Sequence, residues 1–285
     1  MTAPGLILRP AGVAPQQLAA YSDLLGRVFG QAAKFSAEAI AWRYRDNPAG
    51  QVVGVDAWDG ERLAAHYVAC PMQALVDGSP QKGLLSLNTA TDRDYQGQGL
   101  FTRLAEATYE AGRAAGYGFV IGVANANSTP GFLRRLAFQH VARLKAGMLV
   151  RTPRRFRPVE LQFQGDWDAA LLAWRLANPA GRYVAARLGE ITGVWSPTHL
   201  PLVNCGAFLE TAARPPALRR RGPLGATLFI GLEPRRRLGA GELLPIPERL
   251  RPSPLNLIWR ALASTAPEQL RPDSAALNFL DFDPY

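Results

Sequence analysis

Cysteine, lysine and histidine are all scarce in this chain of 285 residues. The two cysteines, Cys70 and Cys205, exclude a disulfide framework and show no zinc-ligand spacing, so we interpret both as small buried residues. No apolar run approaches the ~18 residues that cross a bilayer, and the first residues lack the basic and apolar regions of a signal peptide. These absences favour a cytoplasmic protein that has no membrane span and holds no metal.

Arginine replaces lysine almost throughout the chain. There are 32 basic and 23 acidic residues, a formal net charge of +9, and only Lys34, Lys82 and Lys145 among the basic residues are lysines. Arginine forks match phosphate oxygens, so this composition is compatible with an anionic ligand, although net charge alone indicates no particular partner. No aromatic pattern or motif of nucleic-acid binding accompanies the arginines, and we predict no nucleic-acid partner.

A glycine-containing turn is the most informative local feature. A β-type run at residues 84–91 leads into Gln96-Gly97-Gln98-Gly99-Leu100-Phe101, and an amphipathic helix follows from about Phe101 to Ala115. This order brings backbone N–H groups and a helix N-terminus together, which predicts a phosphate or pyrophosphate site. A dinucleotide-binding Rossmann turn fits poorly, because Thr102 replaces its third glycine and the segments before the turn are hairpins.

The segments around this turn alternate between helical and strand patterns. Helical spacing runs from Pro15 to Phe29, Ser36 can cap a second helix that ends near Arg45, and Asp59-Gly60 marks a hairpin turn. The order predicted to about residue 150 is β, α, α, β, β, β, α, β, α, β. The chain is therefore assigned to the α/β class, with a mixed sheet.

Residues 5–150 resemble the coenzyme A-binding core of the GNAT superfamily of N-acetyltransferases. The phosphate loop of that family reads Arg/Gln-x-x-Gly-x-Gly/Ala, and Gln96 and Gly99 match its first two anchors, whereas Phe101 departs from the usual small residue. The second signature of the family is an Asn-bearing strand end, then a short helix that closes in Gly-Phe. Residues 119–127 and the pair Ala137-Phe138 stand at those places.

The resemblance implies a GNAT fold and acetyl-CoA (coenzyme A) as the cofactor. In this family the strand before the loop contacts the pantetheine arm and the loop amides hold the pyrophosphate, while an asparagine reaches the cofactor from the next strand. A turn-and-cap role is the alternative for the two asparagines. The implied cofactor-binding residues are Thr89, Ala90, Thr91, Gln96, Gly97, Gln98, Gly99, Leu100, Phe101, Thr102, Asn125 and Asn127.

The catalytic groups are less defined by the sequence. Many members of the family carry a tyrosine as general acid five residues before the closing Phe, and Leu133 stands at that position here. The candidates for a general base are His66, Asp92, Tyr95 and His140. A chain of water molecules is an alternative base, because positioning alone can supply much of the rate.

An internal repeat predicts how the rest of the chain is organised. The segment from Trp42 to Gly50 is echoed by the segment from Trp174 to Gly181, both ending in Asn-Pro-Ala-Gly, and the two cysteines lie a similar distance apart. We interpret residues 1–150 as a GNAT acetyl-CoA-binding catalytic domain and residues 151–285 as a degenerate GNAT-like domain without a glycine loop. Such tandem halves suit a chain of this length and apolar content.

Two arginine triplets, residues 219–221 and 235–237, bracket a strand predicted at residues 226–232. We interpret the triplets as solvated loop residues. Contacts to an anionic substrate or a membrane surface are the alternative.

The function that this resemblance implies is acetyl-CoA-dependent transfer of an acyl group to a primary amine of a small molecule. Similarity to acetyltransferases of bacterial polysaccharide loci suggests an amino-sugar or nucleotide-linked amino-sugar acceptor, by analogy only. The alternatives are a coenzyme A-binding regulatory protein without turnover, and an interaction module that uses the arginine-rich second half. The sequence leaves open whether the chain is a monomer or a homodimer.

Overall fold

The computed structural model describes residues 5–30, 34–215, 218–219, 221–236, 238, 241–247 and 253–282. The helices in these ranges are α1 (Pro15–Phe29), α2 (Ala37–Tyr44), α3 (Leu100–Ala114), α4 (Thr129–Arg135), α5 (Ala169–Leu176) and α6 (Phe279–Phe282). The strands are β1 (Leu6–Pro10), β2 (Val53–Asp59), β3 (Arg62–Val76), β4 (Ser79–Thr91), β5 (Phe119–Ala124), β6 (Gln139–Arg143), β7 (Lys145–Leu149), β8 (Phe163–Gly165), β9 (Val184–Leu188), β10 (Ile191–Pro197), β11 (Val203–Leu209), β12 (Leu218–Arg219), β13 (Ala226–Leu232), β14 (Leu243–Pro245), β15 (Asn256–Ala261) and β16 (Leu277–Asn278).

The element order to β6 is the one that the sequence patterns predict. Helix α1 has the predicted bounds, and Ser36 accepts a hydrogen bond from the Ala39 backbone N–H at the start of α2. Strands β2 and β3 form the predicted hairpin about Asp59-Gly60. Within the described ranges, no helix is both long and apolar enough to cross a membrane.

The strands form two mixed sheets. The first sheet has the order β1-β2-β3-β4-β5-β15-β6, with β8 paired to β3. The second sheet has the order β12-β9-β10-β11-β13-β7-β14, with β16 paired to β13. Each sheet has a parallel pair near its centre, β4 with β5 and β11 with β13, and β12 is also parallel to β9 at the edge of the second sheet.

The two halves exchange strands. Strand β15, from the end of the chain, lies between β5 and β6 of the first sheet, and β7, from the middle of the chain, lies between β13 and β14 of the second. Each sheet is therefore completed by a strand from the other half.

Apolar cores cover both faces of the first sheet. Helices α3 and α4 pack on one face, through residues such as Leu104 and Phe132. On the other face, α1 and α2 cover the end that carries Val68, and the second sheet covers the rest through a large shared core that includes Phe163 and Trp259. Burial of this apolar surface is the main force that holds the two halves together.

The internal repeat is visible as repeated structure. Asp168 caps α5 as Ser36 caps α2, 132 positions earlier, and in each case the cap accepts from the backbone N–H three residues on. After each helix an asparagine folds the Asn-Pro-Ala-Gly turn, since Asn47 Oδ1 accepts from Ala49 N and Asn178 Oδ1 from Ala180 N, both at 3.0 Å. The helix, turn and following three strands thus recur as α2 to β4 and α5 to β11.

The distance between the two cysteines is not part of this repeat, so the prediction that the repeat extends to them is wrong. Cys70 lies in β3 and Cys205 in β11, which corresponds to β4 in the other half. Both thiols are buried, as predicted, and burial raises the pKa of Cys70 to about 12 and that of Cys205 further. Neither thiol forms the reactive thiolate at neutral pH.

The interpretation of the arginine triplets as solvated is wrong for Arg235. Its guanidinium is buried, makes two hydrogen bonds with Glu233 at 2.7 and 2.8 Å, and lies 4.0 Å from the centroid of the Phe156 ring. A carboxylate two residues away neutralises the charge, which allows the side chain to be buried. The interpretation is also wrong for Arg236, whose side chain is only 7% exposed and pairs with Glu242. Arg219 and Arg221 are exposed, while Arg220 and Arg237 lie outside the described residues.

Candidate functional site

The glycine turn has the geometry of an anion site. Gly97 has φ +77° and Gly99 has φ +71°, a left-handed conformation that side chains disfavour, and Gly99 is the N-cap of α3. A Cβ added at either position would meet no atom within 4 Å. The space above the turn is therefore open, and the backbone can approach a ligand closely there.

Helix α3 directs its N-terminus at this open space. The first hydrogen bond inside the helix runs from Arg103 N to Gly99 O, so the N–H groups at its start have no acceptor within the helix. The partial positive charge of the helix N-terminus favours an anion at the same point. The helix is held in place by its buried face, which includes Leu100, Leu104 and Tyr109.

Phe101 does not obstruct the turn. Its ring packs edge-on between Tyr67 and Phe132, at centroid distances of 5.9 and 5.3 Å. The large side chain is thus directed into the core beneath α4 rather than over the glycines. Because its ring packs in this way, Phe101 can occupy a position where the GNAT phosphate loop usually has a small residue.

A cleft opens between the parallel strands β4 and β5. The two strands pair from Gly83 with Phe119 to Ser86 with Gly122, and their pairing ends there. Beyond this point β4 continues to Thr91 paired only with β3, while β5 continues to Ala124 paired with β15. The end of the cleft lies next to the glycine turn, so a ligand held at the turn can extend between the strands.

A β-bulge shapes the β4 wall of the cleft. His66 opposes Ala90 and Val68 opposes Leu87, so that two residues, Asn88 and Thr89, face one on the neighbouring strand. Asn88 has φ +50°, a left-handed conformation that asparagine tolerates better than most residues. The predicted contact residues Thr89 to Thr91 follow directly after this bulge.

The asparagines at the end of β5 form a turn. Asn125 Oδ1 accepts hydrogen bonds from the backbone N–H groups of Asn127 and Ser128, at 3.0 and 2.9 Å, ahead of α4. Both asparagines are exposed on the side of the cleft mouth. Asn125 therefore has the turn-and-cap role that the sequence left open, and a cofactor contact of either side chain stays a prediction.

His66 is enclosed rather than open to the cleft. Its side chain is fully buried, Nδ1 lies 2.6 Å from Asp56 Oδ1, and Nε2 lies 3.0 Å from the Tyr44 hydroxyl. Asp56 and Tyr44 are also fully buried, and burial raises the pKa of Tyr44 well above its ordinary value. The sequence did not point to these two partners, because they lie on other elements and nothing in their spacing links them to His66.

Asp92 and Tyr95 lie beside the glycine turn, in polar contacts of their own. Burial alone would raise the pKa of Asp92, but hydrogen bonds from Arg62 and from the Asp94 backbone N–H hold it below its ordinary value. The Tyr95 hydroxyl donates to Asp59 at 2.7 Å, which raises the pKa of the phenol. Asp92 is thus a carboxylate at neutral pH, and Tyr95 a phenol.

His140 is apart from the other three candidates. It is exposed on β6, where Nε2 lies 3.2 Å from Asn256 Oδ1. Leu133 is half-buried in α4 and packs against the core under α3. The structure therefore brings Asp92 and Tyr95 to the turn and His66 behind β4, but does not gather the four candidates in one place.

The matching cleft in the second half is filled by the chain itself. Strands β11 and β13 pair only from Val203–Cys205 to Ala226–Leu228, and further along β13 pairs with β16 on the same side. Helix α6 then lies against both strands, with Phe279 and Leu280 buried in the core. The space that lies open between β4 and β5 is thus occupied between β11 and β13.

Comparison with known proteins identifies the fold. Residues 11–141 match the family of acetyltransferase (GNAT) domains. The GCN5-related N-acetyltransferase of Kribbella flavida aligns with a TM-score of 0.55 and 13% identity, over 92% of this chain and 72% of that one. A tandem GNAT protein of the clavulanic acid biosynthesis pathway aligns with a TM-score of 0.53 and 10% identity, over 90% and 99%.

A GNAT family N-acetyltransferase of Escherichia coli, solved in complex with CoA, aligns over 49% of this chain and 71% of that one, with 22% identity and a TM-score of 0.39. No protein of curated function matches the chain. The prediction of the fold is confirmed: the chain is a mixed α/β protein of two GNAT-like halves in tandem.

Proposed function

We propose that this protein transfers an acyl group, in the simplest case acetyl, from the thioester of coenzyme A to a primary amine of a small molecule. The observation that carries the proposal is the parting of β4 and β5 immediately before an open glycine turn and a helix N-terminus. This one arrangement provides both a pyrophosphate site and a narrow channel for the arm that bears the thioester. The match of residues 11–141 to an acetyltransferase domain supports the same reaction class.

The described residues fit coenzyme A at the turn. Gly97 and Gly99 leave open space, and the ring of Phe101 lies in the core, so the amides from Gln96 to Thr102 can hold the pyrophosphate. The backbone of Thr89 to Thr91 borders the cleft, where it can hydrogen-bond the arm and polarise the acyl carbonyl. Bound acetyl-CoA would supply an activated carbonyl and a thiol leaving group, whose ordinary pKa is about 8.5.

The roles of the remaining groups are proposals of the same kind. The attacking amine must be neutral, and Asp92, Tyr95, His66 and His140 are the candidates to accept its proton. Asp92 and Tyr95 lie beside the turn, which supports a role close to the cofactor. His66 is enclosed by Asp56 and Tyr44, which supports an indirect role.

We also propose that the first half carries the reaction and that the second half has lost its own cofactor site. The filling of the space between β11 and β13 by β16 and α6 supports this division. An amino-sugar or nucleotide-linked amino-sugar remains the proposed acceptor, on the resemblance to enzymes of polysaccharide loci alone.

The test is calorimetric titration with acetyl-CoA of the unmodified protein, Gly99→Ala and Gly116→Ala. Gly99 and Gly116 both have a left-handed φ and open space at Cβ, but Gly116 lies beyond the far end of α3, so it is a matched control for backbone strain. We expect saturable binding that Gly99→Ala weakens about tenfold or more and that Gly116→Ala leaves unchanged. Release of free thiol on addition of a panel of primary amines then separates turnover from binding alone.

Two results would contradict the proposal. Absence of saturable acetyl-CoA binding by the folded protein removes the cofactor site. Saturable binding without thiol release for any amine class, amino-sugars included, favours instead a coenzyme A-binding protein without turnover.

A further inference from the structure

Five polar side chains form one hydrogen-bonded chain that runs from α1 to the bulge of β4. The Tyr21 hydroxyl donates to Asp56 Oδ2 at 2.6 Å and itself accepts from the Gly12 backbone N–H. Asp56 Oδ1 lies 2.6 Å from His66 Nδ1, and His66 Nε2 lies 3.0 Å from the Tyr44 hydroxyl. At the far end, Asn88 Nδ2 donates to the same hydroxyl at 2.9 Å.

One arrangement of protons satisfies every link. Asp56 accepts from the Tyr21 hydroxyl and from the Nδ1–H of His66. The bare Nε2 of His66 then accepts from the Tyr44 hydroxyl, whose oxygen is left to accept from Asn88. The histidine tautomer follows from these partners, because a carboxylate can only accept. The donations therefore run in one direction, from Asn88 on β4 through Tyr44 and His66 to the buried Asp56 carboxylate.

This hydrogen-bonded chain ends at Asn88, the one residue of the five that borders the cleft. Tyr21, Asp56, His66 and Tyr44 are fully buried, whereas Asn88 is half-buried at the bulge. Its left-handed φ of +50° is disfavoured for a residue with a side chain. The hydrogen bond to Tyr44 therefore fixes Asn88 in a left-handed conformation that asparagine tolerates but does not prefer to extended backbone.

The bulge decides where the following backbone groups of β4 point. It places an extra residue opposite β3 immediately after the last pairing of β4 with β5, so the N–H and C=O groups beyond it line the open cleft. An error of about 1 Å in the position of a polarising group can lower a rate about 100-fold. A contact that fixes the bulge therefore also fixes the backbone groups of β4 that line the cleft.

We infer that Tyr44 and His66, supported by Asp56, are positioning residues that hold Asn88 and the β4 bulge in the geometry that polarises the acyl carbonyl. This inference rests on the proposed acyl transfer in the β4/β5 cleft. None of the three side chains touches the substrate. Their main effect is on the chemical step and their effect on coenzyme A affinity is small, since the glycine turn that holds the pyrophosphate lies beyond the end of β4.

The test compares Tyr44→Phe, His66→Gln and Asn88→Gly with the unmodified protein. Tyr44→Phe keeps the ring and removes only the hydroxyl, and Asn88→Gly keeps the left-handed φ without its steric cost while it removes the amide. We expect each variant to bind coenzyme A with a Kd close to that of the unmodified protein and to lose about 10- to 100-fold in kcat. The infrared carbonyl stretch of bound acetyl-CoA, labelled with ¹³C at the carbonyl, should shift towards its value in solution. The double variant Tyr44→Phe/Asn88→Gly should be no slower than the slower single variant, because both changes remove the same link.

Tyr117→Phe is the matched control, because it removes a phenol hydroxyl outside this chain of hydrogen bonds. It should change neither kcat nor the carbonyl stretch. The inference is overturned if the folded Tyr44→Phe and Asn88→Gly variants keep the kcat and carbonyl stretch of the unmodified protein, or if the double variant shows the product of the two single losses. If the unmodified protein fails to bind acetyl-CoA at all, the proposed function fails first, which is a different result from binding with an unshifted carbonyl.

Discussion

Trp42 and Trp174 meet face to face where the two halves join. Their rings stack with centroids 4.4 Å apart and planes 15° from parallel, and each indole N–H donates to the main-chain carbonyl of the other, at 3.1 and 3.0 Å. The two residues are 132 positions apart and hold the same place in the internal repeat. This reciprocal contact is what an isologous interface between two equivalent halves requires.

Loss of either indole N–H should weaken this junction. We expect Trp42→Phe and Trp174→Phe each to lower the free energy of unfolding by about 1–3 kcal/mol, because a main-chain carbonyl loses its indole donor and the stack loses area. Urea denaturation measures the change. Trp58→Phe is the control: Trp58 is also buried, but its Nε1 has no acceptor among the described residues, so only packing is lost. Equal losses at all three positions would contradict the role assigned to the hydrogen bonds.

Local signals in the sequence were enough to predict the first half. Helix α1 matches its predicted bounds and α3 begins within one residue of the prediction, because turn residues and apolar spacing mark the ends. Strand β13 also has the bounds predicted for it, residues 226–232. The glycine turn could be recognised since its function depends on a few consecutive residues.

Features that depend on contacts between distant residues could not be predicted. Nothing in the composition of β7 or β15 says that each joins the sheet of the other half, since strand pairing depends on shape and register. The burial of Arg235 depends on the carboxylate of Glu233, two residues earlier, pointing the same way, and the partners of His66 lie on α2 and β2. Such networks become visible only once the fold brings their members together.

The ion pair of Arg235 should matter far more than one on the surface. Its guanidinium holds the buried carboxylate of Glu233 and also reaches Glu210 and Gln164, each at 3.1 Å. Arg235→Met leaves Glu233 buried without its partner, so we expect the free energy of unfolding to fall by about 3–5 kcal/mol. Arg45→Met, which breaks an exposed pair with Asp46, should cost less than about 1 kcal/mol.

The double variant Arg235→Met/Glu233→Gln separates charge from packing. It removes both charges, and chemical denaturation should show that it recovers part of the stability lost in Arg235→Met. A double variant that is less stable than the single one would mean that packing against Phe156 and the hydrogen bonds to Gln164, rather than the uncompensated charge, set the cost.

Asp281 should give the fold a measurable dependence on pH. Burial raises its pKa to about 6, although hydrogen bonds from the Asn278 backbone N–H and the Trp167 indole lower it in part. The folded pKa lies above the unfolded one, so the folded state binds more protons between about pH 4 and pH 6. The contribution of Asp281 to stability is therefore fully present below about pH 4 and is lost as the pH rises through about 6.

Comparison with Asp281→Asn isolates this effect, because the other ionisable groups cancel in the difference. We expect the stability of the unmodified protein, relative to the variant, to fall by about 3 kcal/mol between pH 4 and pH 7. Thermal or urea unfolding at several pH values measures it. Asp273→Asn, an exposed carboxylate in the same segment, should show no such trend. A difference that stays constant with pH would contradict the raised pKa of Asp281.

Each chain should bind one molecule of acetyl-CoA, in its first half. The first half has the open turn and the cleft between β4 and β5, whereas β16 and α6 occupy the corresponding space between β11 and β13. Displacing this segment would expose Leu277, Phe279 and Leu280 to water, at a cost of about 1.5–3 kcal/mol for each side chain. A titration should therefore give one equivalent of acetyl-CoA per chain, and Gly99→Ala should weaken all of the saturable binding. A second equivalent, or full-affinity binding that survives in Gly99→Ala, would mean that the C-terminal segment moves aside and that the second half is also a site.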